Sequence, residues 1–189
     1  PRIDMTKAEL KEFLDAKVLE YNHPKFLEDD PIQIPHRFTQ KEDIEISAFL
    51  TATIAWGNRK SIINNATKLM GLMDNTPYDF VMHHSKEDLE RLSPFVHRTF
   101  NGIDLGYFVT SLQNIYKNHG SLEAVFTEHQ TKYSMQPAIS KFKEAFFELH
   151  HQSRTQKHVS DPNKGSAAKR INMFLRWMVR DNSTGVDFG

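Results

Sequence analysis

The sequence predicts an all-α fold in a single compact multi-helix domain, residues 1–189. Three observations lead there. Apolar residues recur at helical spacing through most of the chain, and no stretch alternates apolar with polar residues as a strand does. Capping residues and helix stops punctuate those stretches. No internal repeat or Gly/Ser-rich linker divides the 189 residues, a length that suits one core.

The elements follow in order. Thr6-Lys7-Ala8-Glu9 reads as a capping box, in which hydroxyl and carboxylate satisfy each other's free backbone N–H groups. It opens a first helix to about Tyr21, with Leu10, Phe13, Leu14, Val18 and Tyr21 inward. His23-Pro24 starts a loop, and Asp30-Pro31 with Ile34-Pro35 keeps the chain extended to about Phe38. Thr39-Gln40-Lys41-Glu42 is a second capping box, and the helix after it, Ile44 to Trp56, is apolar all round and therefore central. Gly57-Asn58 stops it. A third helix runs from Ser61 to Met73, and Thr76-Pro77 caps a fourth. Ser85-Lys86-Glu87-Asp88 starts a short fifth, and 93–102 reads as a structured loop. Further helices span about Asp104–Asn118, a short one capped by Ser121, Ser134–His151 and Ser166–Arg180.

Formal net charge is zero, which argues against a wholly basic nucleic-acid protein. The distribution is uneven. Residues 1–50 carry seven Lys and Arg against eleven Asp and Glu, whereas residues 141–181 carry nine against four. One basic surface is therefore expected. No apolar run reaches the length of about 20 residues that a membrane helix needs, and no signal segment opens the chain, so no membrane partner and a cytoplasmic location are expected. There is no Cys, and hence no disulfide or thiolate metal site.

The basic surface localises to Lys164–Arg180. At 100° per residue, with Lys169 at zero, Met173, Arg176 and Arg180 fall within about 40° of it, while Ile171, Phe174, Leu175 and Met178 fall on the opposite side. One face is apolar and the other a cationic stripe, with no acid between Lys164 and Arg180. Such a stripe suits an anion. Two other segments could meet one. Trp56-Gly57-Asn58-Arg59-Lys60 ends one helix with an aromatic, an amide and cations, so Trp56, Asn58 and Arg59 could contact a nucleic-acid backbone or base as readily as form an ordinary turn. His97-Arg98-Thr99-Phe100 offers Arg98 as a phosphate or carboxylate clamp. Asp43 and Glu45 favour the positive end of their helix. The histidines include adjacent pairs that share no helix face, and no His-Glu-x-x-His occurs, so neither a metal nor a cofactor is expected.

Asp161 to Arg180, with Phe95–Phe100, Ala55-Trp56-Gly57 and Asp43–Ile46, resembles a family of uncharacterised bacterial proteins across nearly the whole chain. Lys164-Gly165-x-x-x-Lys169, followed by Phe174-Leu175-Arg176, is more distantly similar to the helix-hairpin-helix segment of 8-oxoguanine DNA glycosylase/lyases. That resemblance implies a glycosylase-like fold and a base-excision-repair-like activity. Lys169 would be the nucleophile, and Lys164, Gly165, Ser166, Arg170, Arg176 and Arg180 would meet DNA phosphate. Ala167 stands where those enzymes have a second hairpin glycine, and their downstream aspartate has no clear counterpart here. The resemblance thus implies a C-terminally truncated domain, inactive as it stands. Two other functions compete with it. One is a nucleic-acid-binding helical module without catalysis. The other is a structural or protein-interaction domain whose cations pair with the acidic N-terminal third, Arg176 with an internal carboxylate.

Overall fold

In the computed structural model, which describes residues 6–21, 23–132 and 134–189, nine α-helices carry the fold among the described residues. They are α1 (Lys7–Tyr21), α2 (Lys41–Thr53), α3 (Arg59–Leu72), α4 (Pro77–His83), α5 (Lys86–Arg91), α6 (Gly102–Asn118), α7 (Leu122–Glu128), α8 (Gln136–Phe146) and α9 (Lys169–Val179). The loop before α6 contains a two-residue antiparallel hairpin, β1 (Val96–His97) with β2 (Phe100–Asn101), in which His97 pairs with Phe100. The described residues include no helix long and apolar enough to cross a membrane.

The apolar character of α2 makes it the axis of the core: Glu45 through Thr53 are all buried, and α9, α4 and α3 pack around the helix. Phe49 shows how the core closes. Its ring meets Phe108 of α6 at 5.8 Å, Phe142 and Phe146 of α8 at 5.5 Å each, and Phe174 of α9 at 5.6 Å. Most of these contacts are edge to face, the arrangement the ring quadrupole favours. Removing such a ring costs about 3–5 kcal/mol, transfer and cavity terms together.

Local chemistry sets the ends of the helices, in several places differently from the sequence expectation. The Thr6 box forms: the Thr6 N–H donates to Glu9 and the Glu9 N–H to the Thr6 hydroxyl. The helix it opens, however, does not turn its apolar face inward. Leu10, Phe13, Leu14 and Val18 are 45–51% exposed, because among the described residues no other element packs closely against α1; the side chain of Tyr21 lies outside the described residues. The Thr39 box does not form. Gln40 is the N-cap, without a side-chain bond, and α2 begins at Lys41 and ends at Thr53, before Trp56. Thr76 stands at the N-cap of α4 but donates to the Met73 carbonyl. The acceptor for the Tyr78 N–H is instead the carboxylate of Asp43, reaching over from α2. The Ser85–Asp88 box forms on α5, and Ser121 caps α7.

At the other end of the chain, α8 stops at Phe146 rather than His151. The Phe146 carbonyl accepts the hydroxyls of Tyr107 at 2.6 Å and Ser111 at 2.5 Å, both from α6, so its oxygen is bound outside the helix. The chain then runs through 3₁₀ turns at Ser153–His158 and Pro162–Lys164 before α9 begins at Lys169, three residues later than expected.

Candidate nucleic-acid interface

The segment leading into α9 is shaped by short-range hydrogen bonds. Asp161 accepts from the Asn163 N–H at 2.9 Å and from the Ser140 hydroxyl at 3.0 Å, which starts the Pro162–Lys164 turn. Gly165 follows in the left-handed region, φ 77° and ψ 10°, with its N–H on the Pro162 carbonyl. The space where a Cβ would stand is open to 4 Å, so the glycine serves backbone conformation and leaves this stretch of backbone uncovered. The Ser166 hydroxyl accepts the Ala168 N–H at 3.1 Å. Ala168 is itself left-handed, φ 45°, a conformation that costs an L-residue about 1–2 kcal/mol, and its buried methyl packs into the core.

That geometry leaves α9 without a side-chain cap. The N–H groups of its first turn have no intrahelical acceptor, and they form the positive end of the helix dipole. Lys164 and Lys169 flank them, both exposed and neither in an ion pair among the described residues. Lys169 stands at the surface and borders neither the small cavity beside Arg170 nor the large groove against α7.

Arg170, the next residue, turns the other way. Its guanidinium lies 4.5 Å above the Trp56 ring and donates to the Thr53 carbonyl, and burial lowers its pKa. Trp56 is in turn held by His97. The His97 Nε2 lies 3.1 Å from the Trp56 carbonyl and its Nδ1 2.8 Å from the Asn65 side-chain nitrogen. An amide nitrogen can only donate, so His97 is the neutral tautomer with its proton on Nε2. Burial lowers its pKa, consistent with that form. The ring of His97 also meets Trp56 edge-on at 5.0 Å.

The two turns singled out in the sequence therefore meet. Gly57 is left-handed at φ 100°, and a Cβ on it would lie 2.8 Å from the Arg98 guanidinium, so the glycine admits Arg98 over the turn. Asn58 caps α3 by accepting the Ser61 N–H, and Arg59 lies 5.8 Å over the Phe26 ring. Trp56 and Arg170 are thus half-buried and engaged within the fold, whereas Asn58, Arg59 and Arg98 stay exposed around this turn.

Behind them lies a buried polar group that the sequence reading missed. Asp104 is fully buried. It accepts from the Thr155 hydroxyl at 2.8 Å, the Asn101 N–H at 3.0 Å and the Arg154 guanidinium at 3.1 Å. His158 Nε2 comes within 3.2 Å of the same carboxylate, misaligned for a hydrogen bond. Burial lowers the pKa of His158, with Asp104 opposing. The sequence signal for Asp104 is the Asn101-x-x-Asp104 capping box, which forms here; nothing around His158 marks it.

At the far end of α9 the cations divide again. Arg176 is exposed and makes no ion pair within 4 Å among the described residues, though its charge reaches the buried Asp187 carboxylate. Arg180 approaches Asp187 at 3.6 Å, within the C-terminal segment and not in the acidic N-terminal third. Asp187 is 2% exposed, and burial raises its pKa against the pull of Arg180 and Arg176. The Phe188 N–H donates to the Trp177 carbonyl, and its ring stacks on His36 at 4.4 Å, which folds this segment back against α9. Among the described residues no three His, Asp or Glu side chains form a metal-holding group.

No curated protein and no solved structure matches this chain. Over residues 30–189 the sequence matches the family described as Protein of unknown function (DUF2400), and the chain belongs to that family.

Proposed function

We propose that this protein binds DNA through its phosphates, by the turn that opens α9. One observation carries the reading: an uncapped helix start, with open backbone at Gly165, is flanked by two solvent-facing lysines that have no acidic partner among the described residues. Uncapped N–H groups and unpaired ammonium groups attract the same ligand, a phosphate oxygen. Lys164, Gly165, Ser166 and Lys169 make the contact, and Arg176 extends it along the outer face. Arg170 and Trp56 lie behind and support the turn.

The test is fluorescence anisotropy on duplex and single-stranded DNA and on RNA of equal length, over a salt series. Binding should weaken linearly with the logarithm of salt concentration. Replacing both Lys164 and Lys169 with Ala should reduce the slope by about two, since each phosphate contact contributes about 0.9. Undetectable binding at low salt would end the reading, and tighter binding to RNA would reassign the partner.

A glycosylase/lyase activity is the narrower form of this proposal. It requires the Lys169 amine to attack the sugar C1′, expel the base and form a Schiff base that borohydride reduces to a stable amine. The position of Lys169 beside the proposed phosphate site favours that role; its exposure and its lack of a nearby carboxylate partner favour plain binding. Borohydride trapping of the full protein on abasic and damaged duplex decides between them. A covalent adduct abolished by Lys169→Ala establishes the chemistry, and no adduct with any lesion leaves a binding module.

A further inference from the structure

The start of α2, α7 and the second half of α9 border a groove of about 510 Å³. Its walls are mostly apolar, from Phe126, Met135, Phe174, Leu175, Met178 and Phe188, with Lys41 and Glu123 also on the lining. That volume lies within the range of about 300–1,000 Å³ typical of small-molecule sites. At one end stands Glu45, 5% exposed. A buried carboxylate is costly unless its oxygens are satisfied. One oxygen of Glu45 is: Oε2 accepts the Tyr116 hydroxyl at 2.7 Å. The other is not. The nearest cation, Lys41 Nζ, is 3.9 Å from Oε1, beyond hydrogen-bond reach, and the same ammonium is in direct contact with Glu123 at the rim. Lys41 is thus shared between Glu123 and Glu45, and the groove lining carries two carboxylates against one ammonium. Desolvation pushes the pKa of Glu45 up, as expected of a carboxylate whose charge is under-compensated.

We propose that this groove is a binding site for a small cationic amphiphile, an apolar or aromatic body bearing a protonated amine or amidine. The body would occupy the space between α7 and α9, and the head group would donate to Glu45 Oε1. The site is independent of the phosphate-binding reading. It lies against different residues and calls for a ligand of opposite charge.

The test uses methionine methyl NMR on the full protein with three probes of similar size: 2-phenylethylamine, 2-phenylethanol and 3-phenylpropanoate. The amine should shift the methyl resonances of Met135 and Met178, which line the groove, and leave those of Met70 and Met73, buried elsewhere in the core, in place. It should bind about tenfold or more tighter than the alcohol, the scale of one charge-assisted hydrogen bond. The anion should not bind. Glu45→Gln, which can still accept from Tyr116, should bring the affinity for the amine down to that for the alcohol. Met178→Trp, which fills the groove and leaves Glu45 intact, should abolish binding of both, so the test stands even if the Glu45 variant does not fold. Shifts absent from Met135 and Met178, an alcohol or anion that binds as tightly as the amine, or unchanged affinity in Glu45→Gln would each overturn the proposal.

Discussion

Lys169 and Arg170 are adjacent cations at the start of α9, yet they belong to different regions of the molecule. Lys169 joins Lys164 on an outer surface of exposed, unpaired charge. Arg170 joins Trp56, His97, His158 and Asp104 in an inner cluster of rings and hydrogen bonds. Both residues raise the local charge equally, so a charge count cannot separate them; what separates them is what each side chain touches. The outer region is free to meet a ligand, and the inner one fixes how four parts of the chain come together. Those are α9, the turn between α2 and α3, the hairpin, and the 3₁₀ segment Ser153–His158.

If that division is right, substitutions in the two regions should act on different observables. The largest effect on folding is expected from Arg170→Ala, which removes a cation over an indole and a charged hydrogen bond to the Thr53 carbonyl. Denaturant unfolding should show a loss of about 2–3 kcal/mol. A variant as stable as the parent would place Arg170 with the outer cations after all.

A pH dependence of stability should follow, confined to the inner cluster. Burial lowers the pKa of both His97 and His158 in the folded protein below the ordinary value near 6.5. The unfolded chain therefore binds protons at these sites first. Their contribution to stability is complete above about pH 6.5 and is lost as pH falls through the folded values. Glu45 and Asp187, whose pKa values burial raises, act in the opposite sense, gaining stability as they protonate. Thermal melts from pH 7.5 to 5.0 should thus show a decline that the double variant His97→Gln, His158→Gln flattens. An identical slope in the double variant would show that the decline arises elsewhere.

The smallest effect on folding, and the sharpest contrast, belongs to the outer pair. Lys164→Ala with Lys169→Ala should change unfolding free energy by no more than about 0.5 kcal/mol, as exposed, unpaired side chains do, while weakening DNA binding as described above. A large loss of stability would dissolve the distinction between the two regions.

The same pair shows how far the sequence could be read. The helical wheel separated the core face of α9, Ile171, Phe174 and Leu175, from its solvent face, and these three are buried. It could not place Arg170. At about 100° from Lys169 its Cβ points to neither face, and a long side chain goes wherever a partner stands. The partner, Trp56, is more than a hundred residues away in sequence. Composition did mark the Trp56 and His97 turns as unusual, but not that they touch. Helix α1 fails in the complementary way: its capping box and spacing were legible, and both describe a helix without saying whether anything will cover it. Asp43 stands in the first turn of its own helix, as read, but it also caps α4, a partnership that spans 35 residues and leaves no local trace. The 3₁₀ turns before α9 are too short to carry a period at all.

One junction has a bearing on heredity. At Gly102, where the hairpin passes into α6, the position of a Cβ would lie 2.2 Å from the Ser93 carbonyl oxygen and 2.6 Å from two further backbone atoms of the same residue. No side-chain rearrangement can relieve a collision with main chain. Every missense change in that codon therefore forces the backbone apart where it leads into Asp104, and random mutagenesis that selects for folded protein should recover only synonymous changes there.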